Sequence, residues 1–458
     1  MDLVIVGCQA GDEGKGKITD LVSEGAYAVV RYQAGPNTGH TVVVDGGEHR
    51  FVQVPAGVLR GAVGVLGSGC VIDPRSLLTE LAGFRDGGLA IDLRISESAH
   101  VIFPYHIEQD IAQDDWRGAE LATSAATGFA DGTGRIGTTR RGVGPCREDK
   151  VARIGLRLVD LLDEKLLSAR LARIVPLKRA LLEKVFGRPD GKEPVADEVA
   201  RLIEEYGAAG RSLEPYLCDT SHWLRRARAA GEYLVYEGSQ SFGLDLEQGT
   251  YPYVTSGFTG AAGVTVGTGT SPAQRFAVLG VAKAYMVQVG GGPLVGELDG
   301  EAAEHLVSRG REWGTVTGRR RRVGWFDAPM VRRAIEVEGI TELVLTNLDV
   351  LAGLDEVQVI TGYRVGGRTV DAYPVRLRDA AAATPVLERL PGWSEQDWSD
   401  VARRGADALP PAARRYIDRL AALLDVRIVA AGVGPDRRDT VPLTATSLLS
   451  RLSQPSRR

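Results

Sequence analysis

The sequence predicts an α/β fold, with a large, mainly parallel central sheet flanked by helices, on three observations. Short β-rich runs alternate with helical segments along most of the chain. The first of these runs, Leu3-Val4-Ile5-Val6, opens directly into a Gly-rich loop, GCQAGDEGKGK, at residues 7–17. Apolar residues fill 44% of the 458 positions, yet no run approaches the roughly 18 residues that span a bilayer.

Strands are expected at 3–6, 28–32, 40–44, 64–66, 101–103, 234–236, 276–281, 342–345 and 426–430, where β-branched and aromatic residues cluster. Helices are expected over 74–84, 196–206 and 223–230. The stretch 156–186 is amphipathic, with Leu158, Leu161, Leu162 and Leu166 on one side, and Pro176 is expected to break or kink it. Residues 117–135 are small and Gly-rich without periodicity, which predicts a mobile loop. Proline pairs predict loops within 386–425, and 453–458 reads as a frayed basic tail. No repeat or linker divides the chain, so one domain over 1–458 is expected.

A net charge of −4 gives no reason to expect nucleic-acid binding. The four cysteines match no metal or redox spacing and read as reduced core residues. No signal segment or membrane span is evident, which predicts a cytoplasmic protein.

Ligands of such sheets bind at the carboxyl ends of strands, where loop 7–17 belongs. Gly11, Gly14 and Gly16 let the backbone approach an anion, and Lys15 can neutralise phosphate oxygens. The spacing departs from a Walker loop, and Gly16 stands where a metal-binding Ser or Thr would follow the lysine. Asp12 is then the nearest oxygen ligand for Mg²⁺, or a base. His40 lies in a second loop, RYQAGPNTGHT (31–41), between Gly39 and Thr41, a poor place for a packed core histidine. Four arginines, Arg319 to Arg322, precede an apolar run and suit a small anionic substrate. TNLDVL (346–351) is similar to a guanine-reading signature ending in Asp349, and GVGPDR (432–437) offers a second base-side loop. Gln240, in EGSQ, can donate and accept against a base edge.

Together these segments resemble the adenylosuccinate synthetase family. GDEGKGK (11–17), GPNTGHT (35–41), GTTRRGVGP (137–145), EDKVAR (148–153), EGSQ (237–240), GTYPYVTS (249–256), VTGRRRR (316–322), TNLDVL (346–351) and GPDR (434–437) keep the family's order. The resemblance implies a ligase that activates the 6-oxo group of inosine monophosphate (IMP) with GTP. Displacement of phosphate by L-aspartate then gives adenylosuccinate and GDP. It implies that Asp12 removes the N1 proton, that His40 serves as acid, and that Gln240 holds the base oxygen. Gly14, Lys15, Gly16, Lys17, Gly39, His40, Thr41, Asn347, Asp349, Gly432, Gly434 and Pro435 would bind GTP. Asp12 and the Gly39 carbonyl would hold Mg²⁺. Asn37, Thr139, Thr255 and Arg319 would hold IMP with Gln240, and Arg153 would reach it from the other subunit of a homodimer. Thr317, Arg319 and Arg321 would grip aspartate.

The chain departs from the family pattern at Pro36, Thr38, Arg140, Val316, Asn347 and Gly432, within 256–263 (SGFTGAAG) and within 292–298 (GPLVGEL). These changes leave open a paralogous ligase that acts on a purine-nucleotide analogue or uses another donor such as ATP.

Overall fold

The computed structural model describes residues 1–122, 135–188, 193–314 and 318–449. Among these, ten strands form the central sheet. From one edge to the other they are Thr440–Pro442, Arg427–Gly432, Glu342–Thr346, Phe276–Lys283, Asp2–Gly7, Leu234–Glu237, Ala28–Arg31, Val63–Leu66, Leu93–Ser96 and Leu217–Cys218. Every neighbouring pair is parallel except the first. The expected mainly parallel sheet is therefore present.

Burial on both faces explains why the central strands read as unbroken apolar runs. Leu3 and Ile5 join one apolar cluster with Val29, Val235 and Leu279, while Val4 and Val6 join another with Tyr32 and Tyr236. Helices cover both sides, several with sequence-encoded starts. The Asp73 carboxylate accepts from Arg75 N and caps Pro74–Asp86, and Asp327 caps Ala328–Glu338 through Met330 N.

Five expectations need correction. Two expected strands lie outside the central sheet: His40–Val44 pairs with Gly47–Phe51 as an antiparallel hairpin, and 101–103 gives way to His100–Val101, which pairs with Val71–Ile72. The stretch 156–186 divides into a 3-10 turn, Leu158–Leu162, and a helix, Glu164–Lys184, that Asp163 caps and that continues through Pro176. Residues 117–122 belong to the helix Pro104–Ala122 rather than to a loop. Within 386–425 lie the strand Thr384–Pro391, which joins a smaller sheet with Glu356–Val365, and the helices Trp398–Arg404 and Pro411–Leu424. Prolines there start or end elements instead of marking loops. The remainder of the expected loop, 123–134, and the tail 453–458 lie outside the described residues. The four cysteines are free, and Cys8, Cys70 and Cys146 are buried, as expected.

Parallel register gathers polar residues at one end of the sheet. Glu237 stands opposite both Ile5 and Arg31, and Lys283 stands opposite Thr346. Glu237, Arg31, Lys283 and Thr346 each end their strand, on the side of the sheet where loop 7–17 begins.

Candidate active site

Loop 7–17 is folded around Glu13, whose side chain is fully buried. Its Oε1 accepts from Gln9 N and Gly11 N, each at 3.1 Å. Its Oε2 accepts from Lys15 Nζ and Ser241 Oγ, each at 2.6 Å. Burial pushes this carboxyl up, but Lys15 and these hydrogen bonds bring it below its ordinary range. Gly11 and Gly14 adopt φ of 102° and 81°, and Asp12 between them adopts 59°. Such values are cheap for glycine and unusual for other residues. Gly14 then starts the helix Lys15–Val22. A side chain at Gly16 would put its Cβ 2.8 Å from that of His40, so only glycine lets helix and histidine meet.

His40 is held from behind. Its Nδ1 lies 2.6 Å from Glu237 Oε1, which also accepts from Arg31 Nη2 at 2.9 Å. Ala56 N donates to the other oxygen at 2.7 Å. Burial works against the Glu237 carboxylate, but Arg31 and His40 outweigh it and bring its pKa down to about 2. Glu237 is therefore ionised and accepts a hydrogen bond from Nδ1–H, leaving Nε2 for a ligand. Burial lowers the His40 pKa despite Glu237, so the ring is neutral at pH 7.

Asp12 faces Arg321, with Oδ2 and Nε 2.7 Å apart. The other arginines of the run diverge. Arg320 pairs with Glu304, and Arg322 pairs with Glu297 and donates to Gly292 O at 2.7 Å. Their pairing with separate glutamates breaks up any continuous basic stripe. Arg319 is exposed, and its Nη1 lies 3.5 Å from where a Gly137 Cβ would stand. That brings the segment bearing Thr139 up to the arginine run. This segment is pinned by the helix Pro104–Ala122: Asp114 Oδ1 accepts from Gly137 N and Asp110 Oδ2 from Gly142 N, each at 3.0 Å.

Gln240 Nε2 donates to Thr38 Oγ1 at 3.0 Å, and Gln33 Nε2 reaches Gln240 Oε1 at 3.3 Å. Asn37 Oδ1 is buried without a protein partner. Thr255 is half-buried, and its amide donates to Leu244 O at 2.8 Å. Arg153 ends the helix Val143–Ala152 in a left-handed turn with its side chain exposed. Thr317 lies outside the described residues.

A third group sits at the ends of Glu342–Thr346 and Arg427–Gly432. Lys17 Nζ donates to Gly434 O and Asp439 O, each at 2.8 Å, and burial lowers its pKa to about 8. Gly432 lies beside Lys17, and a Cβ there would stand 3.7 Å from Nζ. Burial raises Asp349 to about 6, and its Oδ1 is buried without a protein partner. Asn347 occupies a left-handed position with φ 58°. Pro435 follows Gly434 and is exposed, as is Thr41, and the strand that Thr41 shares with Val43 meets this group through the Val43–Asp436 bridge.

Two departures within 256–263 are filled by charged side chains. A Cβ at Gly257 would lie 2.8 Å from Arg147 Nη1, and one at Gly260 would lie 2.0 Å from Glu338 Oε1. Phe258 between them is 38% exposed.

Glu13, Arg31, Glu237, Asp110 and Asp114 shape this site, and sequence reading gave none of them a role. Glu237 had a signal: an acid ending the apolar run YLVYE at the carboxyl end of a strand. Asp110 and Asp114 had only helical spacing, which exposed acids share.

The family model described as adenylosuccinate synthetase matches residues 4–441. The adenylosuccinate synthetase of Shouchella clausii is 44% identical over 440 residues, covering 96% of this chain and 97% of that protein. That of Lysinibacillus sphaericus is 43% identical over 441 residues, with the same coverage. The fully ligated adenylosuccinate synthetase of Plasmodium falciparum superposes with a TM-score of 0.86 at 32% identity, covering 97% of this chain and 100% of that one. The succinoaminodeoxyadenylate synthetase of cyanophage S-2L, at 20% identity and a TM-score of 0.57, shares the fold. With the match running from the first strand of the sheet to the last, this chain belongs to the adenylosuccinate synthetase family.

Proposed function

We propose that this protein is a GTP-dependent C–N ligase that joins L-aspartate to C6 of IMP, giving adenylosuccinate, GDP and phosphate. The observation that carries this reading is the meeting of Gly16 and His40, which sets a carboxylate-backed histidine against the loop that bears Asp12. Asp12 takes the N1 proton of the purine, and O6 attacks the γ-phosphorus of GTP. His40 Nε2 faces the transferring group. The nearby phosphate charge favours the protonated ring, so His40 gains its proton as the donor binds and then supports the charge that develops. Gln240 holds the base oxygen. The aspartate amine then displaces phosphate from the 6-phosphoryl intermediate. Positioning and charge stabilisation supply the rate, without a covalent enzyme intermediate.

In this reading the remaining roles follow the family pattern. Asn37, Thr139, Thr255 and Arg319 hold the monophosphate, joined by Arg153 from a second copy in a homodimer. Thr317, Arg319 and Arg321 bind aspartate. Gly14, Lys15, Gly16, Lys17, Gly39, Thr41, Asn347, Asp349, Gly432, Gly434 and Pro435 surround GTP. Asp12 is 30% exposed with one oxygen turned to Arg321, and its carboxylate and the Gly39 carbonyl, both hard-oxygen donors, would hold Mg²⁺. When bound, the ion would neutralise phosphate charge. The enzyme works in the cytoplasm, and no described helix is long and apolar enough to cross a membrane.

A second reading, a donor other than GTP, is favoured by Asn347, whose short side chain offers little apolar surface to a guanine face. One assay separates the two readings: IMP and aspartate with Mg²⁺ and either GTP or ATP, followed by adenylosuccinate formation. Turnover with GTP is expected, with a loss of about 10³-fold or more in Asp12→Asn. Undiminished product from Asp12→Asn would sink the mechanism. Equal turnover with ATP would establish the second reading.

A further inference from the structure

Glu312 lies outside every role assigned above, yet it is among the most heavily bonded carboxylates in the molecule. Its side chain is 0% exposed. Oε1 accepts from Lys283 Nζ at 2.7 Å and from Tyr285 OH at 2.5 Å, while Oε2 accepts from Arg321 Nη1 at 2.8 Å. Burial would push this carboxyl up, but Lys283 and Arg321 hold it below its ordinary range. The backbone joins the same contact, since Arg321 N donates to Glu312 O at 2.9 Å. Trp313 bridges Arg320, and Gly314 N donates to Arg319 O at 2.8 Å. Glu312 and Arg321 thus close the foot of the loop that carries the arginine run.

The chain of charges continues into the proposed reaction centre. Lys283, Glu312, Arg321 and Asp12 alternate in sign, with Arg321 Nε 2.7 Å from Asp12 Oδ2. Lys283 is itself tied to loop 7–17, because its amide donates to Gln9 Oε1 at 2.8 Å and its carbonyl accepts from Gln9 Nε2 at 3.0 Å. A buried guanidinium needs a fixed anionic partner. Without Glu312, Lys283 and Arg321 would face each other with no anion between them, and Arg321 would lose its anchor.

We propose that Glu312 is a positioning residue of the ligase, clasping the arginine loop and fixing Arg321 against Asp12. The inference rests on the functional reading above, in which Asp12 is the base and the arginine loop receives aspartate. Glu312 would then set two geometries at once, the orientation of the base and the approach of the amine donor. It would leave the GTP subsite around Lys17 and Asp349 untouched.

The test compares full-length wild type, Glu312→Gln and Glu312→Asp in steady-state assays with IMP, aspartate, GTP and Mg²⁺, alongside thermal unfolding. For Glu312→Gln, a fall in kcat of about 10²-fold and a higher KM for aspartate are expected, because misplacement by about 1 Å costs that much. KM for GTP should stay within about twofold, and Glu312→Asp, which keeps the charge, should recover part of kcat. Wild-type kinetics in Glu312→Gln would overturn the proposal. So would losses spread equally over every KM, with Glu312→Asp no better than Glu312→Gln, since that marks a structural role alone. If Glu312→Gln fails to fold, Tyr285→Phe removes a single hydrogen bond from the carboxylate. A reduced kcat with an unchanged KM for GTP would then support the proposal, and an unchanged kcat would overturn it. A wild-type enzyme that makes no adenylosuccinate would overturn the functional reading and this inference with it.

Discussion

His40 Nδ1 lies 2.6 Å from Glu237 Oε1, and Arg31 Nη2 reaches the same oxygen from 2.9 Å. The three residues come from separate parts of the chain. Parallel register puts Glu237 beside Arg31, and the glycine at position 16 lets His40 close over them. Glu237→Gln keeps the shape but removes the charge that orients the ring. We expect kcat to fall by about 10²-fold or more with KM for GTP little changed. The same substitution tests stability. A carboxyl lowered from 4.5 to about 2 contributes about 3 kcal/mol above pH 4.5, and that contribution is lost as pH falls toward 2. Chemical denaturation between pH 5 and pH 3 should show a shallower acid loss in Glu237→Gln than in wild type.

Donor binding should depend on pH from both sides. Asp349 titrates near 6 and must be ionised to accept from a guanine, so KM for GTP should rise as pH falls below about 6. Lys17 titrates near 8 and attracts phosphate only when protonated, so KM should rise again above about 8. Bound phosphate favours the lysinium and moves that limb upward. A KM for GTP that stays flat from pH 5.5 to 9 would remove both residues from the donor site.

Asn347→Lys should sharpen donor choice. Two methylenes laid along a guanine face bury apolar surface worth about 1.5 kcal/mol, roughly tenfold in affinity. A β-carbon beyond glycine already tolerates φ 58° at this position, though lysine fits it less well than asparagine. The ratio of kcat/KM for GTP over ATP should rise. An unchanged ratio would show that this position does not read the base.

Gly260 and Glu338 should behave as a coupled pair. A Cβ at position 260 would stand 2.0 Å from Glu338 Oε1, which belongs to a carboxylate that also accepts from Ala261 N. Gly260→Ala is expected to destabilise the protein by about 1–3 kcal/mol. Glu338→Ala opens the space, so the double variant should lose less than the sum of the single losses. Additive losses in denaturant titrations would mean that the contact exerts no strain.

Much of this architecture could be read in the chain itself. The central strands announced themselves as apolar runs because both of their faces are buried, and the glycines of loop 7–17 marked a backbone open to close approach, where Gly11 and Gly14 adopt positive φ. The hairpin at His40–Val44 was harder to place, since β-branched residues promote a strand without naming its partner. Pro176 leaves the helix unbroken, because the packing of Glu164–Lys184 against its neighbours outweighs the one hydrogen bond that a proline costs.

Asp12, Lys15, His40, Gln240 and the arginine run could be picked out as candidates from sequence because short motifs carry their own chemistry. What the sequence determined was therefore local: strand and turn, the residue types on each loop, and through them the family. The tertiary structure decided which charges meet. It set Glu237 behind His40, Glu13 inside loop 7–17, and Glu312 between Lys283 and Arg321, and it sent Arg320 and Arg322 to separate glutamates. These pairings, most of them between residues far apart in the chain, depend on strand register and helix packing. A buried ion pair takes its energy from distance and desolvation, and neither is written in the order of the residues.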